Sequence, residues 1–215
     1  MRILVTGGAG YIGATAAHIL LERGFDVTVL DNLSTGKKKL VPKGSRFVEG
    51  SILDKNAIQL GLGEAEAVMH FGAKSLVGES VAKPEIYWST NVTGTATLLT
   101  AMRGMNIKKL VFSSTAATYG EPKTTPISED ADTKPTNPYG ASKLAVDLMI
   151  TSETIAHGLG AMSLRYFNVA GADPLARSGQ ATPRATHLIK TACEAATGKR
   201  DGLSVYGTEI GRAHV

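Results

Sequence analysis

Short apolar runs alternate along the chain with stretches of helical spacing. RILVT (2–6), DVTVLD (26–31), RFVEG (46–50), AVMHF (67–71), LVFSS (110–114), MSLRYF (162–167) and LSVYG (203–207) are rich in Val, Ile, Leu and Phe, which predicts strands. Apolar positions recurring every three to four residues predict helices over 12–23, 54–62, 84–105, 139–157 and 184–197. Nearly continuous apolar strands alternating with helices imply a parallel sheet covered on both faces, a doubly wound α/β fold of the Rossmann type. The second crossover holds only NLSTGKKKLVPKGS (32–45), with no room for a long helix.

Two segments break the rhythm. Residues 121–138 hold four of the eight prolines, and residues 171–183, GADPLARSGQATP, form a second irregular stretch. Loops of this length are more than connectors and are candidate parts of a site.

At 215 residues, with 43% hydrophobic and 20% charged side chains, the chain can bury one sizeable core. No apolar run reaches the roughly 18 residues that a membrane span needs, and MRILVTGG lacks the pattern of a signal peptide. The expectation is a cytoplasmic protein with no membrane partner. Cys193 is the only cysteine, so no intrachain disulfide can form. The net charge of +4 is densest at Lys37, Lys38, Lys39 and Lys43, where no aromatics interleave, so the cluster reads as a solvated loop and no nucleic-acid partner is expected. His18, His70 and His157 do not combine at zinc-ligand spacing, and no metal is expected.

The first strand runs into TGGAGYIG and a helix, with Gly7, Gly10 and Gly13 at G-x-x-G-x-x-G spacing. The first glycine permits a tight turn, the second lets a pyrophosphate approach the backbone and the third lets helix and strand pack closely. The next strand ends in Asp31, followed by Asn32. A carboxylate there accepts hydrogen bonds from ribose hydroxyls and repels a 2′-phosphate, which selects NAD over NADP.

The stretch NPYGASKLAVDLM (137–149) sets Tyr139 and Lys143 four apart at a helix start, with Pro138 suited to the first helical position. A nearby ammonium favours the phenolate, so Tyr139 is expected to have a lowered pKa and to act as a base towards a hydroxyl. Thr115 stands at the carboxyl end of the fifth strand, the edge where open α/β sheets bind ligands, and its hydroxyl could bridge the substrate oxygen and the phenol. Ser113 and Ser114 are alternatives for that role.

Together, TGGAGYIG, LDNLSTG, HFGAKSLVGES, NVTGT, FSSTAATYG, NPYGASK and LRYFNVAGADP resemble, in order and spacing across residues 3–174, the extended short-chain dehydrogenase/reductases and within them the UDP-glucose 4-epimerases. TPRATHLIKTA and LSVYGTE continue the likeness. The resemblance implies NAD-dependent epimerisation of UDP-glucose and UDP-galactose at C4 through a 4-keto sugar, as in galactose metabolism. Thr115, Tyr139 and Lys143 would be catalytic. Gly7, Gly10, Tyr11, Ile12, Gly13, Asp31, Asn32, Ser51, Ile52, Phe71, Gly72, Ala73, Asn91, Ser113 and Tyr166 would contact NAD, together with Tyr139 and Lys143. Asn168 would bind the diphosphate of a UDP-sugar. His187, Leu188, Val205 and Tyr206 would line the uridine pocket, and Ser75, Thr115 and Tyr139 would also touch substrate. A homodimer is implied, formed through the helices at 84–105 and 139–157. Sugar-nucleotide 4,6-dehydratases of the same fold carry an Asp-Glu pair after the catalytic threonine. Here Ala116 and Ala117 stand there, which disfavours elimination of water.

The likeness has departures. Ser51 stands where the family usually has an aspartate that contacts adenine, and Ser75 where some relatives have lysine. IGRAHV follows VYGTE directly, whereas the family continues through further residues and completes a C-terminal nucleotide-sugar domain. The expected organisation is therefore an NAD-binding domain over 1–170 and a partial nucleotide-sugar-binding region over 171–215. The alternatives are a 4-epimerase of another UDP-sugar (N-acetylhexosamine, pentose or glucuronate) and a catalytically silent NAD-binding fragment.

Overall fold

The computed structural model describes residues 1–182 and 187–204. In chain order the elements are β1 (Arg2–Thr6), α1 (Tyr11–Glu22), β2 (Asp26–Asp31), β3 (Arg46–Glu49), α2 (Lys55–Leu62), β4 (Ala67–His70), α3 (Val77–Ala82), α4 (Pro84–Tyr87), α5 (Gly94–Gly104), β5 (Lys109–Ser113), α6 (Pro138–His157), β6 (Gly160–Leu164) and α7 (Leu188–Ala196). Short 3₁₀ turns lie at Lys38–Leu40 and Ala116–Tyr119, and a π-helical stretch, Trp88–Thr93, joins α4 to α5.

The strands form one parallel sheet in the order β3-β2-β1-β4-β5-β6. The order reverses between β1 and β4, so the connections leave in opposite directions and open a crevice at the carboxyl ends of these strands. Register aligns Thr6 with His70, and His70 with Phe112, which sets the ends of β1, β4 and β5 side by side at that crevice. Alternate residues of β1 serve the two faces. Leu4 joins Leu30, Ile58, Leu98, Phe112, Val146 and Ile150 beneath α2, α5 and α6. Ile3 and Val5 join Val27, Val29 and Ala17 beneath α1. Sheet and helices thus share a continuous apolar packing on each side, the condition for a strand to be apolar throughout.

Three predicted elements differ from those observed. The helix over 84–105 starts earlier, at Val77, and is broken. Lys83 leaves helical geometry (φ −142°, ψ 64°) and Pro84 restarts the helix at its first turn, where a missing N–H costs nothing. The sixth strand runs over 160–164 rather than 162–167, and its outward positions are exposed, Met162 at 61%. Arg165 and Tyr166 have already left the sheet, and the Tyr166 carbonyl accepts the Ala116 N–H at 3.1 Å. Of the strand predicted over 203–207, Leu203 and Ser204 are irregular and the rest lies outside the described residues. No helix among those residues is long and apolar enough to cross a membrane.

Candidate active site

The glycine turn after β1 is shaped by backbone proximity. Gly7 has φ +70°, and a Cβ there would lie 2.6 Å from the Gly72 nitrogen, so only glycine lets the ends of β1 and β4 meet. A Cβ on Gly13 would lie 2.3 Å from the Gly7 carbonyl oxygen, which fixes how closely α1 approaches the turn. At Gly10, the N-cap of α1, a Cβ would meet only the Gly7 oxygen, at 3.2 Å. Gly10 therefore keeps its open side clear in front of the helix N-terminus. There, free amides and the helix dipole favour an anion.

Asp31 braces this turn from the end of β2. One carboxylate oxygen accepts the Ala9 N–H at 3.0 Å and the other the Leu33 N–H at 2.8 Å. Each oxygen keeps a further lone pair for a ribose hydroxyl. Asn32 is exposed and accepts the Ser34 N–H. Ser51 accepts the Leu53 N–H and shapes its own turn. Ile52 is 7% exposed and wedges against Gly94, where a Cβ would lie 2.8 Å away, so it is chiefly a packing residue. Tyr11 donates its hydroxyl hydrogen to the Gly171 carbonyl at 2.5 Å, tying the second irregular segment to α1. Thr15 and Ser178, 2.9 Å apart, and the Arg177–Asp173 pair at 2.7 Å reinforce that strap.

Beneath the crevice lies a buried polar chain. The Gly72 N–H donates to the Thr6 hydroxyl at 3.2 Å, and Thr6 faces His70 Nδ1 at 2.6 Å. His70 Nε2 faces the Thr95 hydroxyl at 2.9 Å, and Thr95 donates its hydrogen to the Asn91 carbonyl at 2.6 Å. Because Thr95 has spent its hydrogen, Nε2 must carry the imidazole proton and Nδ1 must accept from Thr6. Every partner is satisfied only with a neutral ring. Burial, aided by the Lys143 charge, pulls the His70 pKa down to about 3.

Asn91 sits within the π-helical stretch, where a widened turn of this kind often marks a site. Its side chain accepts the Lys74 N–H at 2.8 Å, donates to the Lys74 carbonyl at 3.0 Å and donates to Ser142 Oγ at 2.9 Å. It thereby pins the loop carrying Ala73 and Ser75 to α6. Tyr87 does the same for the following residue, bridging Leu76 and Glu79.

Helix α6 brings in the phenol and the ammonium. Asn137 caps it by accepting the Gly140 N–H at 2.9 Å, and Pro138 occupies its first position. A Cβ on Gly140 would lie 2.6 Å from the Ala117 carbonyl, so α6 begins in direct contact with the 3₁₀ turn that follows Thr115. Thr115 accepts the Ala117 N–H at 3.2 Å, leaving its own hydrogen to donate. Lys143 is 2% exposed; its Nζ donates to the Ser113 carbonyl at 2.7 Å and lies 4.6 Å from the centre of the Phe112 ring. Ser113 Oγ is hydrogen-bonded to the Tyr166 hydroxyl. Tyr139 is half-buried, with the Tyr87 ring edge-on at 6.3 Å.

The acid–base behaviour departs from expectation. Burial pushes the Tyr139 phenol up, Thr115 works against that rise and Tyr166 adds to it. Lys143 does not lower it. Burial instead draws Lys143 itself down to about 7, opposed by the Asp147 carboxylate, so near neutrality its charge is only part-time. The Tyr166 phenol is likewise raised by burial, against the hydrogen bond from Ser113.

The predicted residues divide accordingly. Gly7, Gly10, Gly13, Asp31, Phe71, Gly72, Asn91, Ser113, Thr115, Tyr139, Lys143 and Tyr166 line or underlie one crevice. Ser75 and Asn168 are exposed beside it with no side-chain bond described. His187 stands at the N-terminal end of α7 with its ring turned to Gln180 at 2.7 Å rather than to the helix amides, and Leu188 is 70% exposed. Val205 and Tyr206 lie outside the described residues. Sequence reasoning missed the roles of Ser142, Gly140, Tyr87 and Asp147. Only Gly140 left a local signal, as the residue after Tyr139 in a helix that a glycine should weaken.

A model of the family described as "NAD dependent epimerase/dehydratase family" matches residues 3–212. The chain belongs to this family. The UDP-glucose 4-epimerase of Corynebacterium glutamicum is 53% identical over 209 residues, 97% of this chain and 63% of that protein. The crystal structure of UDP-glucose 4-epimerase from Brucella ovis in complex with NAD superposes with a TM-score of 0.92 at 43% identity, covering 96% of this chain and 64% of that one. The Bifidobacterium longum UDP-glucose 4-epimerase, solved with NAD+ and UDP, gives 0.89 at 34% identity over 96% of this chain and 65% of its own. This epimerase/dehydratase chain thus spans a little under two thirds of the relatives it matches.

Proposed function

We propose that the chain is the NAD-binding and catalytic portion of a UDP-glucose 4-epimerase. The observation that carries this reading is the joint placement of Thr115, Tyr139 and Lys143 at the crevice beside the glycine turn, with Ala116 and Ala117 where a dehydratase needs an acid and a base.

The residues fit NAD. A pyrophosphate would rest on the open side of Gly10, at the start of α1 beside Tyr11, Ile12 and Gly13. Asp31, with Asn32, would take the adenosine ribose hydroxyls. Ser51 and Ile52 would flank the adenine, Phe71, Gly72 and Ala73 would floor the crevice with Asn91, and Ser113, Lys143 and Tyr166 would hold the nicotinamide end. When bound, NAD supplies the acceptor and donor of hydride at C4 of the sugar. Tyr139 would take the C4 hydroxyl proton and later return it. Thr115, whose hydrogen is free to donate, would hold the sugar oxygen against the phenol. The raised Tyr139 pKa keeps the phenol protonated at neutrality, so proton removal relies on the Thr115 hydrogen bond, which favours the phenolate, and on positive charge from the oxidised ring when NAD is bound.

Asn168, Ser75, His187, Leu188, Val205 and Tyr206 belong to the proposed substrate side, with residues from 171 onward as part of a nucleotide-sugar region. A homodimer through α6 is supported by its outward residues Leu148 (61% exposed) and Ile155 (82%), seven apart on one stripe. A cytoplasmic location is proposed on the single cysteine.

Tyr139→Phe tests the reading. It should retain NAD while 4-epimerase turnover falls by roughly 10²- to 10⁴-fold, the range for losing a general acid–base. Unchanged turnover would refute the assignment.

A further inference from the structure

We propose that Asp147 is a positioning residue for the Tyr139–Lys143 pair, locking α6, the end of β5 and the end of β6 together and setting the electrostatic environment of Lys143. The proposal rests on the functional reading above only for what Tyr139 and Lys143 do.

Tyr139, Lys143 and Asp147 fall four apart on one face of α6. Asp147 is 6% exposed, and its Oδ2 takes two donors, Ser114 Oγ at 3.0 Å and Arg165 Nε at 3.1 Å. Ser114 stands between Ser113, whose carbonyl holds Lys143, and Thr115. Arg165 precedes Tyr166, which is bonded to Ser113. Arg165 also reaches the Tyr119 hydroxyl at 3.2 Å and stacks on that ring, closing the circuit through the turn after Thr115. One carboxylate therefore contacts the immediate chain neighbours of the residues around the phenol and ammonium.

The choice of a charged group is itself informative. Asp147 Oδ1 is buried and has no hydrogen-bond partner among the described residues. An unpaired buried carboxylate oxygen is unfavourable for stability, so charge rather than shape is the property retained. The ionisable groups around Lys143 are Asp147 and Tyr139 on its own helix and His70 on β4, neutral as argued above. Those facing Asp147 are Lys143 and, from beyond β6, Arg165. Asp147 is thus the only anion near this ammonium among the described residues.

Two roles predict opposite signs. If Asp147 were merely structural, Asp147→Asn would loosen the site, admit water and raise the Lys143 pKa. If its charge acts on Lys143, Asp147→Asn lowers that pKa, by about one unit. The measurement is a pH titration of the Lys143 ε-carbon by NMR in the lysine-labelled chain, assigned with Lys143→Arg. We expect Asp147→Asn to shift the titration down and Asp147→Glu to restore it. Should the asparagine variant not fold, Asp147→Leu, which shares the branching of the carboxylate without its charge, is expected to shift it the same way. Arg165→Gln, which leaves the carboxylate uncompensated, is expected to shift it up. A rise or no change on removing the carboxylate overturns the proposal, as does an equal shift in Asp147→Glu. Because the titration needs no substrate, it stands apart from the Tyr139→Phe turnover test of the function.

Discussion

The β1–α1 turn and the β5–α6 region share one edge of the sheet but are built from different materials. The turn works by lacking side chains: Gly7, Gly10 and Gly13 bring backbone to backbone, and Asp31 only braces what they shape. The α6 region works by burying side chains that resist burial, among them Lys143, Asp147 and Asn91. A site made of backbone tolerates no added atom where its strands and helix meet, at Gly7 and Gly13, whereas a site made of buried polar groups is under electrostatic tension and depends on each group keeping its partner.

The sharpest test of the contrast is Gly13→Ala. Its methyl would lie 2.3 Å from the Gly7 oxygen, and unfolding in urea should show a loss of about 3 kcal/mol or more. Acid lability should come next. His70 has its folded pKa lowered to about 3 from 6.5, so the unfolded chain binds more protons between these values. Its contribution is fully present above pH 6.5 and is lost as pH falls towards 3, amounting to a few kcal/mol at most, on the order of the linkage for such a shift. His70→Gln should flatten that part of the stability profile while lowering stability at neutrality.

Lys143→Met should abolish turnover and, because it removes one partner of a buried pair and leaves the Ser113 carbonyl without its donor, lower stability at neutrality by about 1 to 3 kcal/mol. Lys143 is lowered to about 7 from 10.5, so the native chain binds fewer protons across that window. Parent stability should therefore rise from pH 7 to 10.5, and the methionine variant should lose that slope. Gly10→Ala should leave stability within about 1 kcal/mol, because its methyl meets only one atom, yet weaken NAD at least about tenfold in a fluorescence titration. Last, Arg103→Gln breaks the 2.6 Å surface pair with Glu153, near the C-terminal end of α6 and apart from its buried polar groups, and should change stability by no more than about 0.5 kcal/mol.

The same contrast explains what the sequence disclosed. Glycine spacing after an apolar strand is a local pattern, so the turn, Asp31 and the sheet were legible, as was the Tyr139–Lys143 pair one helical turn apart. Asp147 was not, because its partners lie 33 and 18 residues away and depend on how β5 and β6 end. The break at Pro84 was legible in principle, but the apolar spacing on either side ran through it. The direction of the Tyr139 pKa could not be read because spacing gives proximity without burial, and burial is the largest influence on both groups.

The stretch Trp88–Thr93 holds more residues per turn than the α-helix that follows it. Excising one residue there would restore ordinary winding, and the rotation that the extra residue absorbs, about 100°, would fall on the residues inside the widened turn, Asn91 among them. Asn91 would then aim its amide away from Lys74 and Ser142 while α5 stayed seated on the core. The direction in which this asparagine points is thus held by a count of residues, and a one-codon deletion that spares every named side chain would still dismantle the crevice floor.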